Sequence, residues 1–438
     1  MDSIFAQSSA PGKAGVSVFR ISGPSALEVA KILSHMDSFS PRRLTFTKLF
    51  DQDGSVIDHA MIVYFNSPHS FTGQDVVEIH THGSIAISKL LSERVLSTGL
   101  VRYAEPGEFA RRAFINGKMD LTMAEGLADL IESETTMQHK QAMRQMGGEL
   151  ERLYSDLRAK LLKIISLLEA FIDFPDEEIP EDVLLDSEST IEELKAGLKS
   201  HLGDNRRGER LRNGIMLAIL GEPNVGKSSL LNFLARREVA IVSNIAGTTR
   251  DVIESHLDIG GYPIIICDTA GLRLGTSDVI EEEGMRRAIK YAENADIKII
   301  MFDVDNIATP SEQLLEMIDE NTILLLNKVD KNQQIMSNYP VIPISIKNNQ
   351  GLDLLLAEIE KKAQNLAMPS EMPSITRQRH RNSIEQALIA LDRCDIRGDI
   401  VLAAEDIRIA IRQLSLLTGR IEVDEILGEI FSKFCIGK

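Results

Sequence analysis

The sequence predicts a multidomain protein of mixed α+β and α/β class, in which an α/β module is inserted into a helical domain. Its 438 residues exceed what one hydrophobic core commonly serves, so two or three domains are expected. Strand and helix patterns alternate over residues 1–117, which predicts an α+β domain. Helical periodicity covers residues 118–211 and returns at 368–438, and the block 212–367, which is rich in buried strands, separates the two stretches.

The N-terminal domain is predicted from short patterns of two kinds. Apolar and β-branched runs predict three strands, at residues 16–21, 60–65 and 75–80. Apolar residues at helical spacing predict two amphipathic helices, at residues 24–33 and 85–96. Interleaved elements of this kind are typical of an α+β domain.

The helical domain is predicted from apolar stripes on both sides of the inserted block. Its first part is expected to hold a helical stretch at 123–171, interrupted at Gly147 and Gly148, and another helix at 190–201. Its second part follows a proline-containing linker at 368–373 and carries two further stripes. We therefore expect a discontinuous domain whose chain leaves and returns at neighbouring points, because domain termini usually lie close together.

Composition and charge limit the classes of function. The formal net charge of −17 argues against a generally adhesive nucleic-acid binder, although a local basic groove remains compatible with it. Three cysteines, Cys267, Cys394 and Cys435, give neither a disulfide framework nor a paired metal spacing, which favours a reducing compartment. The chain shows no signal-peptide pattern and no apolar run of membrane-spanning length, so we expect a cytoplasmic protein without a membrane partner.

A phosphate-binding loop is predicted at residues 221–228, which read GEPNVGKS and fit the spacing G-x-x-x-x-G-K-[ST]. A buried strand precedes the loop and a helix follows it, as this motif requires. Backbone N–H groups and the positive helix end would hold phosphates, Lys227 would reach the β- and γ-phosphates, and Ser228 would bind Mg²⁺. The loop residues expected to contact the nucleotide are Asn224, Val225, Gly226, Lys227, Ser228 and Ser229.

Further motifs follow in order at the ends of predicted strands. Asp268 can support Mg²⁺, and the Gly271 N–H can contact a γ-phosphate. Asp330, in the NKVD run that begins at Asn327, would accept from the guanine N1–H and 2-amino groups, which adenine lacks as a pair. Together with a second base-binding loop these motifs predict a Ras-like GTPase module with a mixed, mostly parallel sheet. The contacting residues are Asp268, Thr269, Ala270, Gly271, Asn327, Lys328, Asp330, Ser345, Ile346 and Lys347.

The chain resembles the tRNA-modification GTPases of the MnmE/TrmE family over essentially its whole length. The inner run GTTRD at 247–251 and the terminal FCIGK at 434–438 make the resemblance specific. It implies a folate-binding-like, dimer-forming first domain, a split helical domain and an inserted GTPase module. It also implies a K⁺-stimulated GTP hydrolase that acts with a flavin-dependent partner (MnmG/GidA), as a homodimer and in a heterotetramer with that partner. The pair adds an aminomethyl-type group to C5 of wobble uridine in certain tRNAs.

The resemblance also implies how hydrolysis is assisted. Leu272 stands where Ras-like enzymes place a glutamine, so other groups must orient the attacking water. Glu281 would position that water, with Glu282 and Glu283 as alternatives, and Thr249 would complete the Mg²⁺ shell. The residues that would bind K⁺ are Asn224, Ser243, Ile245 and Thr248. The switch residues that would line the GTP site are Ser243, Asn244, Ile245, Ala246, Gly247, Thr248 and Thr249.

For the first domain, the resemblance implies bound 5-formyl-tetrahydrofolate as the one-carbon donor. The matching residues are Arg20, Glu78, Lys118 and Lys438. A carboxylate can bridge adjacent pterin donors, and a glutamyl tail is attracted to cations. Without the resemblance, Arg20 and Lys118 are interpreted as ordinary surface charges. Cys435 is a candidate participant in the modification chemistry, and its alternative role is that of a small buried residue.

Two basic runs, at 206–212 and 377–381, flank the inserted module and are the candidates for tRNA contact. Solvated helix ends are the commoner meaning of such runs. The alternative hypothesis for the whole chain is a regulatory GTPase switch in ribosome assembly or signalling, without folate chemistry. The ending at 434–438 favours the tRNA-modification hypothesis, because a simple switch does not need it.

Overall fold

The computed structural model groups the chain into two compact units, residues 1–128 with 414–438 and residues 129–413. The structure describes residues 2–174, 180–236, 240–241, 254–267, 291–304, 312–331, 340–368, 372–421, 424–432, 434 and 436–437. The predicted division into four segments at 117, 211 and 367 is finer than this grouping and stays a prediction. No helix in these ranges is long and apolar enough to cross a membrane.

The first unit is built on a six-stranded sheet with helices against it. Its strands are β1 (Ser3–Gln7), β2 (Ala14–Ser22), β3 (Thr45–Phe50), β4 (Val56–Phe65), β5 (Val76–Gly83) and β6 (Val101–Tyr103). Its first helices are α1 (Ala26–Ser34), α2 (Ile85–Ser97) and α3 (Glu108–Ile115), and α4 (Leu121–Glu132) begins in this unit and ends in the second. The strand order is β3-β4-β5-β2-β1-β6, and every pairing is antiparallel except β1 with β6.

Alternation along these strands separates a core face from an open face. Phe19, Ile21, Val77 and Ile79 are fully buried and pack with apolar residues of α1 and α2. Intervening positions such as Arg20 and Glu78 lie on the opposite face. The α+β prediction is confirmed, but β1, β3 and β6 were not predicted, because short runs with mixed polarity give little period-two signal.

The second unit contains helices from both parts of the helical domain and the α/β module. The helices before the module are α5 (Thr136–Met146), α6 (Glu149–Asp173), α7 (Glu181–Leu202) and α8 (Arg207–Asn213). The module follows with β7 (Ile215–Gly221), α9 (Lys227–Arg236), β8 (Ala240–Ile241), β9 (Glu254–Ile259), β10 (Tyr262–Cys267), β11 (Ile297–Asp303), α10 (Glu312–Glu316), β12 (Thr322–Asn327), β13 (Ile342–Pro343) and α11 (Leu352–Ala367). After it come α12 (Gln378–Arg393) and α13 (Ile400–Thr418), which ends in the first unit, and then α14 (Asp424–Ser432) in the first unit.

The module sheet is mixed and mostly parallel, as predicted. Its order is β13-β12-β11-β7-β10-β9-β8, and only the pairings of β9 with β10 and β8 are antiparallel. Leu217 and Ile219 enter one core cluster and Ala218 and Leu220 enter another, so β7 is buried on both faces. Burial on both faces is the usual state of a central parallel strand.

The helical predictions are right about existence and less accurate about boundaries. The break at Gly147 and Gly148 is confirmed, since α5 ends at Met146 and α6 begins at Glu149. A second break separates α4 from α5, where Thr135 and Gln138 form a capping box at the start of α5. Helix α7 begins at Glu181 rather than at residue 190, because its acidic first turn carries little apolar periodicity.

Candidate functional site

The predicted phosphate loop connects β7 to α9. Backbone φ is positive at Gly221 (147°), Asn224 (62°) and Gly226 (108°), so the chain turns sharply between strand and helix. The first turn of α9 contains no carboxylate. Because the first N–H groups of a helix have no acceptor within it, the positive end of α9 can hold an anionic group.

Lys227 curls back over this loop. Its Nζ donates to the carbonyl oxygens of Gly221 (2.7 Å) and Glu222 (2.8 Å). The ammonium group therefore lies where it could exchange these carbonyls for phosphate oxygens. Ser228 is half-buried on the first turn of α9, and Asn224 is exposed on the loop, which leaves its side-chain oxygen accessible to a cation.

Asn327 joins the phosphate loop to the loops predicted to bind the base. Its Nδ2 donates to the carbonyl of Val225 (2.8 Å), and its Oδ1 accepts from the N–H of Ile346 (3.4 Å). A methyl group on Gly226 would lie 2.4 Å from that Nδ2, so the motif glycine also makes room for the amide. Sequence reasoning named Asn327 as a contact residue and missed that it holds three segments together.

Asp330 is oriented by the neighbouring loop. The hydroxyl of Ser345, which is fully buried, donates to Asp330 Oδ1 (2.7 Å) and accepts from the N–H of Asn348 (3.2 Å). This hydrogen bond lowers the pKa of Asp330, and the nearby Lys347 ammonium acts in the same direction. The carboxylate is therefore ionised near neutral pH, the state that accepts from paired N–H donors.

Several predicted residues lie outside the described residues. They are Ser243, Asn244, Ile245, Ala246, Gly247, Thr248, Thr249, Asp268, Thr269, Ala270, Gly271, Glu281, Cys435 and Lys438. In the described residues, the structure brings together the phosphate loop and the base-binding loops. The roles of the residues outside those ranges stay predictions. In the described ranges, no group of three or more His, Cys, Asp or Glu side chains could hold a metal ion.

The predicted folate residues of the first unit include a close ion pair. Arg20 and Glu78 are register partners on β2 and β5, and two guanidinium nitrogens donate to Glu78 Oε1 at 2.7 and 3.0 Å. The Arg20 guanidinium also lies over the rings of Phe71 (5.4 Å) and Phe109 (5.7 Å). Both side chains of the pair are about one-fifth exposed. The Arg20 guanidinium thus makes both an ion pair with Glu78 and cation–π contacts with two rings.

Lys118, Ile436 and Gly437 belong to the same unit as this ion pair. A methyl group on Gly73 would lie 3.3 Å from Lys118 Cε, which places the lysine stem beside the loop that carries Phe71. Ser8 Oγ donates to the carbonyl of Gly437 (3.1 Å), and Ile436 forms a bridge with Pro106. Gly437 therefore lies next to the β1–β2 connection, and the folate-binding role of this region stays a prediction.

The basic runs flanking the module do come together, but they are largely engaged with carboxylates. Asp129 Oδ1 accepts from Arg212 and Arg377, each at 2.8 Å. Arg381 pairs with Asp204 at 2.7 Å, and Arg210 pairs with Asp296 at 2.6 Å. Four of the arginines named as candidates for tRNA contact are thus paired with carboxylates within the second unit. Their contact with tRNA stays a prediction.

Comparison with known proteins agrees with this arrangement of motifs. The model of the MnmE helical domain matches residues 121–435, and the model of the GTP-binding protein TrmE N-terminus matches residues 3–118. A tRNA modification GTPase MnmE from Rickettsia bellii is 56% identical, and the match covers 100% of both chains. The chain belongs to the MnmE family. The family predicted from the motifs, and the fold class that goes with it, are therefore confirmed.

Other MnmE relatives are almost as similar. The tRNA modification GTPase MnmE of Rickettsia rickettsii is 56% identical, again over 100% of both chains. Among solved structures, the G domain of the T. maritima FeoB iron transporter is 30% identical and covers 34% of this chain and 99% of that chain, with a TM-score of 0.25. Because the MnmE relatives match over their full length, family membership extends to both units.

Proposed function

We propose that the protein hydrolyses GTP and couples this reaction to modification of wobble uridine in tRNA. The observation that carries the proposal is the joining of three loops by Asn327, with Asp330 held ionised beside them. One buried amide fixes the distance between a phosphate cradle and a guanine acceptor. Membership of a family whose relatives are named tRNA modification GTPases supports tRNA as the substrate. The place of action would then be the cytoplasm.

In the proposed site each described residue has a defined task. Lys227 would transfer its hydrogen bonds from the loop carbonyls to the β- and γ-phosphates, and Ser228 would provide a hydroxyl ligand for Mg²⁺. Asn224 would contribute an oxygen ligand for K⁺. These cations, when bound, supply positive charge that stabilises the transferring phosphoryl group, the role that an arginine has in related enzymes. Glu281 would orient the water.

We further propose that the first unit binds 5-formyl-tetrahydrofolate as the one-carbon source. Glu78 Oε1 accepts from Arg20, while Glu78 Oε2 lies 3.7 Å from His80 Nε2, and about one-fifth of the Glu78 side chain is exposed. A carboxylate edge suits adjacent N–H donors of a pterin. Lys118 and Lys438 would pair with the glutamyl tail. The enzyme would act as a homodimer, and with a flavin-dependent partner as a heterotetramer.

Nucleotide specificity gives the sharpest test of the GTPase. In Asp330→Asn, one acceptor becomes a donor, which suits the 2-oxo group of xanthine and not the 2-amino group of guanine. We expect kcat/KM for GTP to fall roughly 10²- to 10⁴-fold and activity with XTP to rise. Unchanged GTP hydrolysis would show that Asp330 does not bind the base.

In the wild type, hydrolysis should accelerate when K⁺ replaces Na⁺, and equal rates would argue against the assisting cation.

Folate binding separates the proposal from the alternative of a regulatory switch. Titration with 5-formyl-tetrahydrofolate should show saturable binding, which Glu78→Gln weakens. The matched control is Glu93→Gln, which alters an exposed glutamate of α2 and should leave binding unchanged. No binding by folded wild-type protein would favour the switch.

Light scattering with GDP, aluminium fluoride and K⁺, against GDP alone, would test dimer formation and closure of the GTPase modules.

A further inference from the structure

Asp303 ends β11 and belongs to none of the nucleotide motifs. Asp303 is only 4% exposed, and its Oδ2 accepts a hydrogen bond from Lys328 Nζ at 2.8 Å. Lys328 directly follows Asn327, which is the last residue of the neighbouring strand β12 and the register partner of Asp303. The buried Asp303 carboxylate therefore forms an ion pair with Lys328, the second residue of the predicted guanine motif.

The backbone of Lys328 makes this contact consequential. Its φ is +64°, a left-handed conformation that costs a residue with a side chain about 1–2 kcal/mol and persists where surrounding contacts offset that cost. The turn that follows is closed by the Lys331 N–H, which donates to the Lys328 carbonyl (3.0 Å). The direction in which the chain leaves Lys328 sets where Asp330 lies, two residues on.

Each residue of this motif is held by a different partner. Asn327 is held by the phosphate loop, Val329 by the carbonyl of Ile344 (3.3 Å), and Asp330 by Ser345. For Lys328 the described anchor is Asp303. Because this anchor comes from β11, the base-binding loop is tied to the phosphate loop, to the segment after β13 and to β11.

We propose that Asp303 is a positioning residue for guanine recognition, acting through Lys328. The inference rests on the proposed guanine-nucleotide site and adds a residue to it. Asp303 itself need not touch the nucleotide. It fixes the left-handed turn at Lys328, and thereby the place of the Asp330 carboxylate that would accept from guanine.

The test compares two isosteric variants that each remove one carboxylate charge from a lysine–aspartate pair. Asp303→Asn breaks the Lys328 pair, and the control Asp319→Asn breaks the Lys298 pair, which has the same 2.8 Å distance but lies at the opposite end of β11. GDP affinity should fall roughly 10-fold in Asp303→Asn, the loss expected for one hydrogen bond to a charged group. Asp319→Asn should match the wild type.

The sign of the effect is informative. Loss of a negative charge by itself favours an anionic nucleotide, so a purely electrostatic role predicts equal or tighter binding in Asp303→Asn. A positioning role predicts weaker binding, with KM for GTP raised about 10-fold and kcat within about twofold. Asp303→Glu, which keeps the charge, should bind GDP with an affinity between those of the wild type and Asp303→Asn.

A double-mutant cycle with Lys328→Met shows whether Asp303 acts through that lysine. If it does, Asp303→Asn adds less than about twofold to the loss already caused by Lys328→Met. Independent, multiplying losses would overturn the proposal, as would GDP affinity in Asp303→Asn equal to that of Asp319→Asn. Failure of the wild type to bind GDP would instead overturn the proposed function. If Asp303→Asn does not fold, Asp303→Glu takes its place in the cycle, with the same criterion of non-additivity.

Discussion

Asp129 should be the most sensitive residue at the junction of the helical domain and the module. Its Oδ1 accepts hydrogen bonds from Arg212, which lies just before β7, and from Arg377, the residue before α12. Replacement by alanine removes both charge-assisted hydrogen bonds and leaves two arginines facing each other without a shared anion. Because these arginines come from the two places where the chain enters and leaves the module, the loss should loosen both connections.

The size of this effect follows from the contacts. Hydrogen bonds to charged groups contribute about 1.5–3 kcal/mol each. Arg212 and Arg377 keep 27% and 18% of their side-chain surface exposed, so water can replace part of what they lose. We therefore expect the opening free energy of this junction to fall by about 2–4 kcal/mol in Asp129→Ala.

Hydrogen–deuterium exchange of α8 measures that quantity directly. A loss of 2–4 kcal/mol corresponds to exchange roughly 30- to 900-fold faster for amides that open with the junction, among them Gly214, which donates to Arg210. The control is Asp406→Asn, which breaks a single pair with the exposed Arg393 at 2.9 Å and should change exchange by less than about fivefold. Unchanged protection of α8 in Asp129→Ala would refute the role of the shared carboxylate.

Three further outcomes are expected. His201 is 3% exposed, and burial lowers its pKa from 6.5 to about 4, so the unfolded state binds an extra proton between these values and stability should fall by roughly 2 kcal/mol from pH 7 to pH 5. His201→Phe should remove that part of the slope in urea titrations, and an identical pH dependence would contradict the assignment. Gly226→Ala should weaken GDP binding at least 10-fold, because its methyl group would meet the Asn327 amide at 2.4 Å, whereas Gly197→Ala on α7 has open space and should bind as the wild type. Ser345→Ala should raise KM for GTP severalfold in protein that remains folded, and an unaffected KM would show that the hydroxyl does not orient Asp330.

How much the sequence could predict depended on whether a feature is local. The phosphate loop was predictable because the residues that turn it, Gly221 and Gly226, are adjacent to the strand and helix that they connect. The break at Gly147 and Gly148 was predictable for the same reason. The family-specific runs at 247–251 and 434–438 then extended the prediction to the first domain, whose own sequence patterns are weak.

Features that depend on contacts between distant segments could not be predicted. The partners of Asp129 lie 83 and 248 residues away in sequence, so nothing in the sequence indicated that arginines named as candidates for tRNA contact share a carboxylate. Asp303 gave no signal, because the sequence around a carboxylate at a strand end is the same whether the side chain faces solvent or a lysine that follows the neighbouring strand. The tie made by Asn327 was hidden for a similar reason, since its acceptor at Val225 lies 102 residues earlier.

Nucleoside analysis of tRNA tests the central proposal most directly. A bacterial strain lacking its own family member would carry the wild-type gene, the Asp330→Asn gene or an empty vector, and digested tRNA would be analysed by mass spectrometry. The proposal predicts that the wild-type gene restores the aminomethyl-type wobble uridine, while Asp330→Asn and the empty vector leave it unmodified. Full modification by Asp330→Asn, expressed at the wild-type level, would show that guanine-nucleotide recognition at this site does not drive the reaction.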